Sequence, residues 1–333
     1  MGSADVQQRF FQHIKDKLPA HLSLVDEVAA LLNISNDSAY RRIRAEKPIS
    51  FEELQLLCSQ YKISLDQFLH LQSDAIIFNG RVDTAGDTIF EDYLKNVLQQ
   101  FQKMNSFASK HMYVLMKDIP PFVHFQIPEL AKFKFYFWMK SILHDERLKK
   151  IQFSLDDPRY EEFIPLSKKV IEAYNTIPVT EIWNIESINS SLRQIDFYRQ
   201  SGMYKNKNEI KLLYEKLEEL INHIERQAEL GIKFLIGTTP GHTPATYNMF
   251  VNELILGDNT YLAQLGDTKL TFLNHSVLYF VATTDERFNT AMFRNLINLT
   301  KKSTQLSSIG EKERVRFFNR LRDKIHYMQA SLT

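Results

Sequence analysis

Four serines mark the starts of predicted helices in the first 72 residues. Each stands directly before a short amphipathic stretch, where its side-chain oxygen can accept a hydrogen bond from a free amide of the first helical turn. These serines are Ser23, Ser35, Ser50 and Ser64. Glu53 follows Ser50 at the spacing of a capping box. Short, closely spaced helices must bury their apolar faces against one another, so we expect a compact all-helical domain in residues 1–72.

The join between the second and third predicted helices carries the most specific pattern. A helix-turn-helix requires a small residue where the helices cross, a residue that tolerates positive φ in the turn, and a second helix with a polar outer face. Ala29 meets the first requirement and Asn33 the second, since asparagine enters the left-handed region more readily than other non-glycine residues. Ile34 follows the turn, and Ala39 and Ile43 recur at the spacing of an inner helix face.

With this pattern, and with the two helices predicted in PISFEELQLLCSQYKISLDQFL, residues 5–72 resemble the lambda-repressor and Cro-like (Xre-type) helix-turn-helix family. The family usually has glycine where Asn33 stands, and often another where Ala45 stands. The resemblance implies a DNA-binding domain. It does not extend beyond residue 72.

If residues 36–44 form the recognition helix, its first residues can reach base edges in the major groove, and cations further along can neutralise phosphates. The predicted base-facing residues are Asn36, Asp37, Tyr40 and Arg41. Arg44 and Lys47 are the predicted phosphate contacts. Arg42 falls on a different side of the helix, where we expect a structural role.

The overall charge gives no further support for DNA binding. The chain of 333 residues has 41 basic and 40 acidic side chains, so its summed field does not attract polyanions. Affinity for nucleic acid must therefore come from the local cluster in the predicted recognition helix. The alternative is that these arginines only keep an exposed helix face hydrated and bind no ligand, as is usual for runs of charged residues.

Three features predict a soluble cytoplasmic protein. The single cysteine, Cys58, cannot form an internal disulfide. The first residues lack the basic start and apolar centre of a signal peptide. The most apolar segment, Phe133 to Leu143, contains Lys134 and Lys140 and is much shorter than the roughly 20 residues of a membrane span. We therefore expect no membrane association.

The remaining residues predict a second, larger domain. Residues 73–88 are rich in turn-forming residues and read as a linker. Residues 89–333 begin with long amphipathic helices and continue with β-rich runs from 247 to 283, where short polar turns indicate a four-stranded meander. The expected fold class is mainly α: an all-α helix-turn-helix domain followed by an α+β regulatory or dimerisation domain with a small, late antiparallel sheet.

Motifs for catalysis are missing from the sequence. It contains no glycine-rich dinucleotide motif, phosphate-binding loop, His-Glu-x-x-His or nucleophile elbow. His242, Asp258 and Asp267 lack ligand spacing, and the aspartates stand in predicted hairpin turns that favour aspartate. We therefore expect no catalytic residue, no metal and no cofactor, and we predict that the chain is not an enzyme.

Three hypotheses about function remain. The leading one is a site-specific transcriptional regulator that binds double-stranded DNA as a homodimer, because one such domain reads few base pairs. Its second domain would dimerise and could bind a small-molecule effector, although aromatic residues at helical spacing usually form a core. The second is a protein-interaction adaptor that uses the helix-turn-helix as its binding surface. The third is an enzyme with a DNA-targeting head.

Overall fold

The computed structural model describes residues 3–19, 22–69, 76–80, 89–254, 257–276 and 278–332. The chain forms two compact units, Met1–Ile77 and Phe78–Thr333. The predicted linker, 73–88, lies mainly outside the described residues, apart from 76–80.

The N-terminal unit contains five helices within its described residues. They are α1 (Ser3–Lys17), α2 (Leu24–Leu32), α3 (Asn36–Ile43), α4 (Phe51–Tyr61) and α5 (Leu65–Phe68). Their inner faces form one core of Phe10, Phe11, Ile14, Val28, Ala29, Ala39, Leu57 and Ile63. The order of short helices predicted from the sequence is therefore confirmed.

The predicted serine caps explain where these helices begin. Ser23 caps α2 and Ser35 caps α3, each by accepting a backbone amide three residues later. At α4 the capping box is complete, because Glu53 also accepts the backbone amide of Ser50. The predicted cap at Ser64 involves Gln67, whose side chain is not among those that the structure describes.

The C-terminal unit combines seven described helices with one sheet. Its helices are α6 (Ile89–Asn105), α7 (Pro128–Phe137), α8 (Ile164–Asn175), α9 (Asn189–Gln200), α10 (Asn208–Leu230), α11 (Glu286–Lys301) and α12 (Glu311–Ala330). Its strands are β1 (Asn79–Gly80), β2 (Lys110–Met116), β3 (Val179–Trp183), β4 (Tyr247–Val251), β5 (Thr260–Leu265), β6 (Thr268–Asn274), β7 (Phe280–Thr283) and β8 (Thr304–Gln305). Short 3₁₀ helices occupy Pro121–Gln126, Glu146–Leu148 and Pro158–Tyr160, and a π-helical turn, Trp138–Ile142, follows α7.

The described strands form one eight-stranded mixed sheet in the order β1-β7-β6-β5-β2-β3-β4-β8. Its centre is parallel, with Met112 opposite Val179 and Val179 opposite Tyr247. All other neighbouring strands are antiparallel. Parallel neighbours require long crossovers, and α7 with α8, then α9 with α10, provide them in the chain order.

The predicted fold class, mainly α with a small late sheet, is wrong. The strands are spread from residue 79 to residue 305, and β2 and β3 occupy the middle of the sheet. The predicted meander holds only for β5, β6 and β7, since β4 is separated from β5 by β2 and β3. β3 was not predicted because this strand has only five residues, all buried, and therefore shows no alternation of apolar and polar positions.

Helices cover both faces of the sheet. Val114 on β2 belongs to the main core together with α6, α7, α8, α10 and α12, whereas the next residue, Leu115, packs with Phe293 and Leu296 of α11. Successive residues of a strand point to opposite faces, so the sheet lies between two helical layers. The apolar seam of α10 is buried in the main core and is not exposed.

A buried carboxylate joins the centre of the sheet to its helices. Glu181 on β3 accepts hydrogen bonds from the Tyr174 hydroxyl at 2.6 Å, the Trp183 indole at 2.7 Å and the Tyr247 hydroxyl at 2.7 Å. Lys233 Nζ lies 3.1 Å from the centroid of the Tyr174 ring and donates to the Tyr174 carbonyl. Three donors on one buried carboxylate compensate its lost hydration, so we interpret this cluster as structural.

None of the described helices is long and apolar enough to cross a membrane.

Candidate nucleic-acid interface

The turn between α2 and α3 holds the two helices close together. Asn33 adopts the left-handed conformation, with φ 51° and ψ 51°, and ends α2. The backbone amide of Ile34 then donates to the carbonyl of Ala29 at 3.0 Å. Ala29 and Ala39 are both buried between the helices, where small side chains permit close approach. The residues predicted to build a helix-turn-helix occupy the positions that this geometry requires.

Arg42 fixes the rotation of α3 about its own axis. Its guanidinium binds Glu53 through two parallel hydrogen bonds, Nε to Oε2 at 2.9 Å and Nη2 to Oε1 at 2.6 Å. Nη1 also donates to the carbonyl and hydroxyl of Ser38. The hydrogen bond from Arg42 lowers the pKa of Glu53. Arg42 is buried, as expected for the structural residue on this helix.

Because Arg42 points inward, the polar residues on either side of it point outward. Tyr40 is 49% exposed, and Asp37, Arg41 and Lys47 are exposed as well. Among the described residues, neither Arg41, Asp37 nor Lys47 has a hydrogen-bond or ion-pair partner for its side chain. These three side chains are therefore available to an external ligand without losing an internal contact.

The other predicted contacts are exposed but partly engaged. Asn36 Nδ2 donates to Asp26 Oδ1 at 2.9 Å, which leaves the Asn36 carbonyl oxygen as an acceptor. The Arg44 guanidinium lies 5.3 Å from the centroid of the Tyr40 ring and 3.6 Å from Glu46 Oε1. Both partners of Arg44 are at the surface, where such contacts are weak and readily exchanged. Arg44 could turn toward a phosphate at little cost.

The loop after α3 is fastened by residues that the sequence did not reveal. Gln7 Nε2 donates to the carbonyls of Arg42 and Lys47 at 2.7 and 2.8 Å, and Gln7 Oε1 accepts from the amide of Ile49 at 3.2 Å. Gln8 donates to the carbonyl of Arg44 at 3.0 Å. These contacts join positions 35 to 42 residues apart, so no local pattern could identify them. Gln7 positions the backbone that carries Lys47.

The electrostatics of this face are only weakly positive. Arg41, Arg44 and Lys47 contribute three positive charges, and Asp37 and Glu46 contribute two negative ones. Each phosphate contact releases counterions and adds to the salt dependence of binding. The net charge of this face is therefore about one positive unit, which limits the electrostatic contribution to the binding of any polyanion.

The positions considered for a metal are not brought together. Asp258 forms an ion pair with Lys117 at 2.6 Å, and His242 and Asp267 lie exposed in loops. In the described part of the chain, no group of three or more His, Cys, Asp or Glu side chains is arranged to hold a metal ion.

Comparison of the chain with models of protein families, with curated proteins and with solved structures finds no match. Its function must therefore be inferred from its own residues.

Proposed function

We propose that the protein is a site-specific DNA-binding transcriptional regulator in which α3 enters the major groove. The observation that carries this proposal is the arrangement around Arg42. That residue is buried against Glu53, while its neighbour Arg41 and the following Lys47 are exposed without internal partners. A helix rotated in this way presents Asp37, Tyr40 and Arg41 as one polar surface, which suits readout of base edges.

The assigned contacts divide into two chemical groups. Asn36, Asp37, Tyr40 and Arg41, on the first two turns of α3, are proposed to face bases. Arg44 and Lys47, at the helix end and in the loop, are proposed to contact phosphates. The weak net charge of this face supports binding as a homodimer on paired half-sites, about one helical turn of DNA apart. The larger unit is the proposed source of dimerisation.

Selection of duplexes from a random DNA pool tests this proposal. The full-length protein is incubated with the pool at two salt concentrations, and bound duplexes are sequenced. Arg41→Ala and Arg44→Ala are selected in parallel. Lys17→Ala is the matched control, because it removes one exposed charge from the same unit at a site on α1 near Tyr61, away from α3. We expect a palindromic motif that is lost with Arg41→Ala and retained with Lys17→Ala.

Failure to enrich any motif at either salt concentration would contradict the proposal. A motif retained in both arginine variants would show that DNA is bound by another surface. A single, unpaired half-site would remove the homodimer and keep the DNA-binding function.

A protein-interaction adaptor is the second candidate, favoured by one observation. Phe51, the first residue of α4, is 88% exposed, and Leu56 on the same helix is 48% exposed. Large apolar side chains that are exposed on one helix are typical of a protein contact. Phe51→Ala separates the two candidates: it should abolish capture of a protein partner in the adaptor and leave the recovered DNA motif unchanged in the regulator.

A further inference from the structure

Lys134 is a buried cation without a counterion in contact. It lies on α7 and is 4% exposed. Its Nζ donates to the hydroxyl of Ser191 at 3.0 Å and to Gln194 Oε1 at 2.6 Å, both on α9. Both acceptors are neutral, and Lys134 forms no ion pair with the described residues. An ammonium group has three protons, so the third has no acceptor among the described residues.

The hydrogen-bonded groups behind Lys134 contain no negative charge that could compensate it. Ser191 Oγ also lies 2.9 Å from His124 Nε2, and His124 Nδ1 lies 3.3 Å from the carbonyl of Pro120. If Ser191 accepts from Lys134 and donates to His124, then His124 is neutral and donates to Pro120, so that Ser191 and both ring nitrogens of His124 are satisfied. Burial and the Lys134 charge both lower the pKa of His124. The unsatisfied group is therefore the third proton of Lys134, at the end of this series of hydrogen bonds.

A cavity of about 350 Å³ lies at Lys134 and is also lined by Asp118. The backbone of Asp118 is held by Asn259, which accepts from its amide at 2.9 Å and donates to its carbonyl at 3.0 Å. Its carboxylate accepts no hydrogen bond from the described residues. Burial raises the pKa of Asp118, and the Lys117 and Lys134 charges oppose that shift. Opposite charges thus face the same cavity without touching one another.

The charges around the cavity exclude a simple polyanion. Lys117 and Asp258 at the rim already form an ion pair at 2.6 Å. The remaining pair, Lys134 and Asp118, sums to zero. A phosphate would gain Lys134 but would be repelled by two carboxylates. A ligand with one negative and one positive group would satisfy both unpaired side chains.

A second, apolar cavity shares two lining residues with the first, Pro121 and Asn274. It has a volume of about 60 Å³ and is lined mainly by apolar side chains, among them Val97, Met104 and Leu278. Engineered cavities that hold a benzene ring measure about 150 Å³. The smaller volume suits a short aliphatic group rather than an aromatic ring.

We propose that this site binds a free amino acid with a short aliphatic side chain. Its carboxylate would accept the third proton of Lys134, its ammonium group would donate to Asp118, and its side chain would enter the apolar cavity. Ligands of this kind shift populations when they bind one conformation better than another, so the site is a candidate effector site for the larger unit.

Calorimetric titration of the full-length protein tests the proposal without DNA. The probes are L-valine, 3-methylbutanoate, which lacks the amino group, and 2-methylpropylamine, which lacks the carboxylate. We expect L-valine to bind and each truncated probe to bind roughly tenfold more weakly or worse, since each leaves either the buried Lys134 or the half-buried Asp118 without its partner. L-phenylalanine should bind more weakly than L-valine because its ring exceeds the apolar cavity.

Two variants assign the charged contacts. Lys134→Met should remove the preference for L-valine over 2-methylpropylamine, and Asp118→Asn should remove the preference over 3-methylbutanoate. Lys168→Met, which removes an exposed charge from α8, is the matched control and should bind as the wild type does. If circular dichroism shows that Lys134→Met is unfolded, the Asp118→Asn series decides alone.

The proposal is overturned if L-valine does not bind the wild type at millimolar concentration. It is equally overturned if a folded Lys134→Met or Asp118→Asn binds all three probes as the wild type does. Preference for L-phenylalanine would overturn the assignment of the apolar cavity to the side chain.

Discussion

Both units contain cations without a counterion in contact, but these cations differ in their exposure to water. Arg41 and Lys47 are exposed on the N-terminal unit, where hydration satisfies their charge and no partner is needed. Lys134 in the C-terminal unit is 4% exposed and can meet water only through the cavity that it lines. An exposed cation therefore reveals a function only through the pattern of its neighbours, whereas a buried cation that lines a cavity without a counterion in contact marks a place where a ligand can bind.

Arg41 and its neighbour in sequence, Arg42, also differ in burial and in partners. Arg42 is buried like Lys134, but it has a bidentate carboxylate partner in Glu53. Its charge is satisfied within the fold, so it needs no ligand. Of the three situations, only the exposed and the buried unpaired cations suggest binding partners, and the ligands differ: a large polyanion at the surface, and a small zwitterion in the cavity.

The largest expected effect follows from breaking the satisfied pair. Arg42→Met should destabilise the N-terminal unit by about 3 kcal/mol, because it leaves Glu53 partly buried without its cation. Hydrogen exchange of residues 36–61, measured by mass spectrometry on the full-length protein, reports this loss as reduced protection. The double variant Arg42→Met with Glu53→Met should recover much of the protection. Unchanged exchange in Arg42→Met would mean that the ion pair does not hold α3.

An effect of similar size and opposite sign should appear when the unsatisfied cation is removed. Burial lowers the pKa of Lys134 to about 7, whereas the unfolded chain keeps the ordinary value of a lysine. Below about pH 7 both states are protonated and the folded state carries the full penalty. As pH rises toward the lysine value, the unfolded chain binds more protons, so the free energy of unfolding rises.

Lys134→Met removes this dependence, so the variant should be more stable than the wild type by a few kcal/mol near pH 6, with the advantage shrinking toward pH 10. Melting temperatures of both proteins across this pH range measure the difference in stability. The contributions of groups that the substitution leaves unchanged cancel in this difference, except those of the nearby Asp118 and His124. Lys168→Met is the control and should follow the wild type. A constant difference between Lys134→Met and the wild type at all pH values would show that folding does not lower the pKa of Lys134.

At the exposed face the expected effect is on affinity rather than stability. Arg41→Ala should weaken binding to the selected DNA motif by about 1 to 3 kcal/mol and relax its base preference, as loss of a bidentate base contact does. Lys47→Ala should weaken binding to all sequences alike and reduce the salt slope by about 1. Fluorescence anisotropy on the motif and on single-base variants measures both. Identical, sequence-independent effects would contradict the division between base and phosphate contacts.

The two units also differ in how much their sequences reveal. In the N-terminal unit the signals are local: Ser50 and Glu53 are three positions apart, and Asn33 marks a turn by its own conformational preference. The positions of five helices and the inward direction of Arg42 follow from such signals. The contact of Gln7 with the loop after α3 spans 35 to 42 residues, and no local pattern encodes it.

In the C-terminal unit the decisive contacts are distant in sequence. Lys134 was visible as a charge within the most apolar segment, but its partner Ser191 is 57 positions away, and nothing in the sequence joins them. Likewise β3 contains Glu181, which argues against a central strand until the three donors around it are known. Parallel pairing joins strands separated by whole helices, so the sheet could not be derived from neighbouring residues.

Asn33 offers the mildest perturbation of the exposed face, because it alters the turn before α3 without touching any charge. Its φ of 51° lies in the left-handed region, which asparagine enters more readily than alanine, so Asn33→Ala should cost about 1 kcal/mol. Asn33→Gly should be nearly neutral, since glycine adopts this conformation freely. Urea unfolding monitored by exchange in α2 and α3 distinguishes the two. Equal stabilities of the alanine and glycine variants would mean that the turn relaxes out of the left-handed region, and the orientation of α3 would then depend on Arg42 and Gln7 alone.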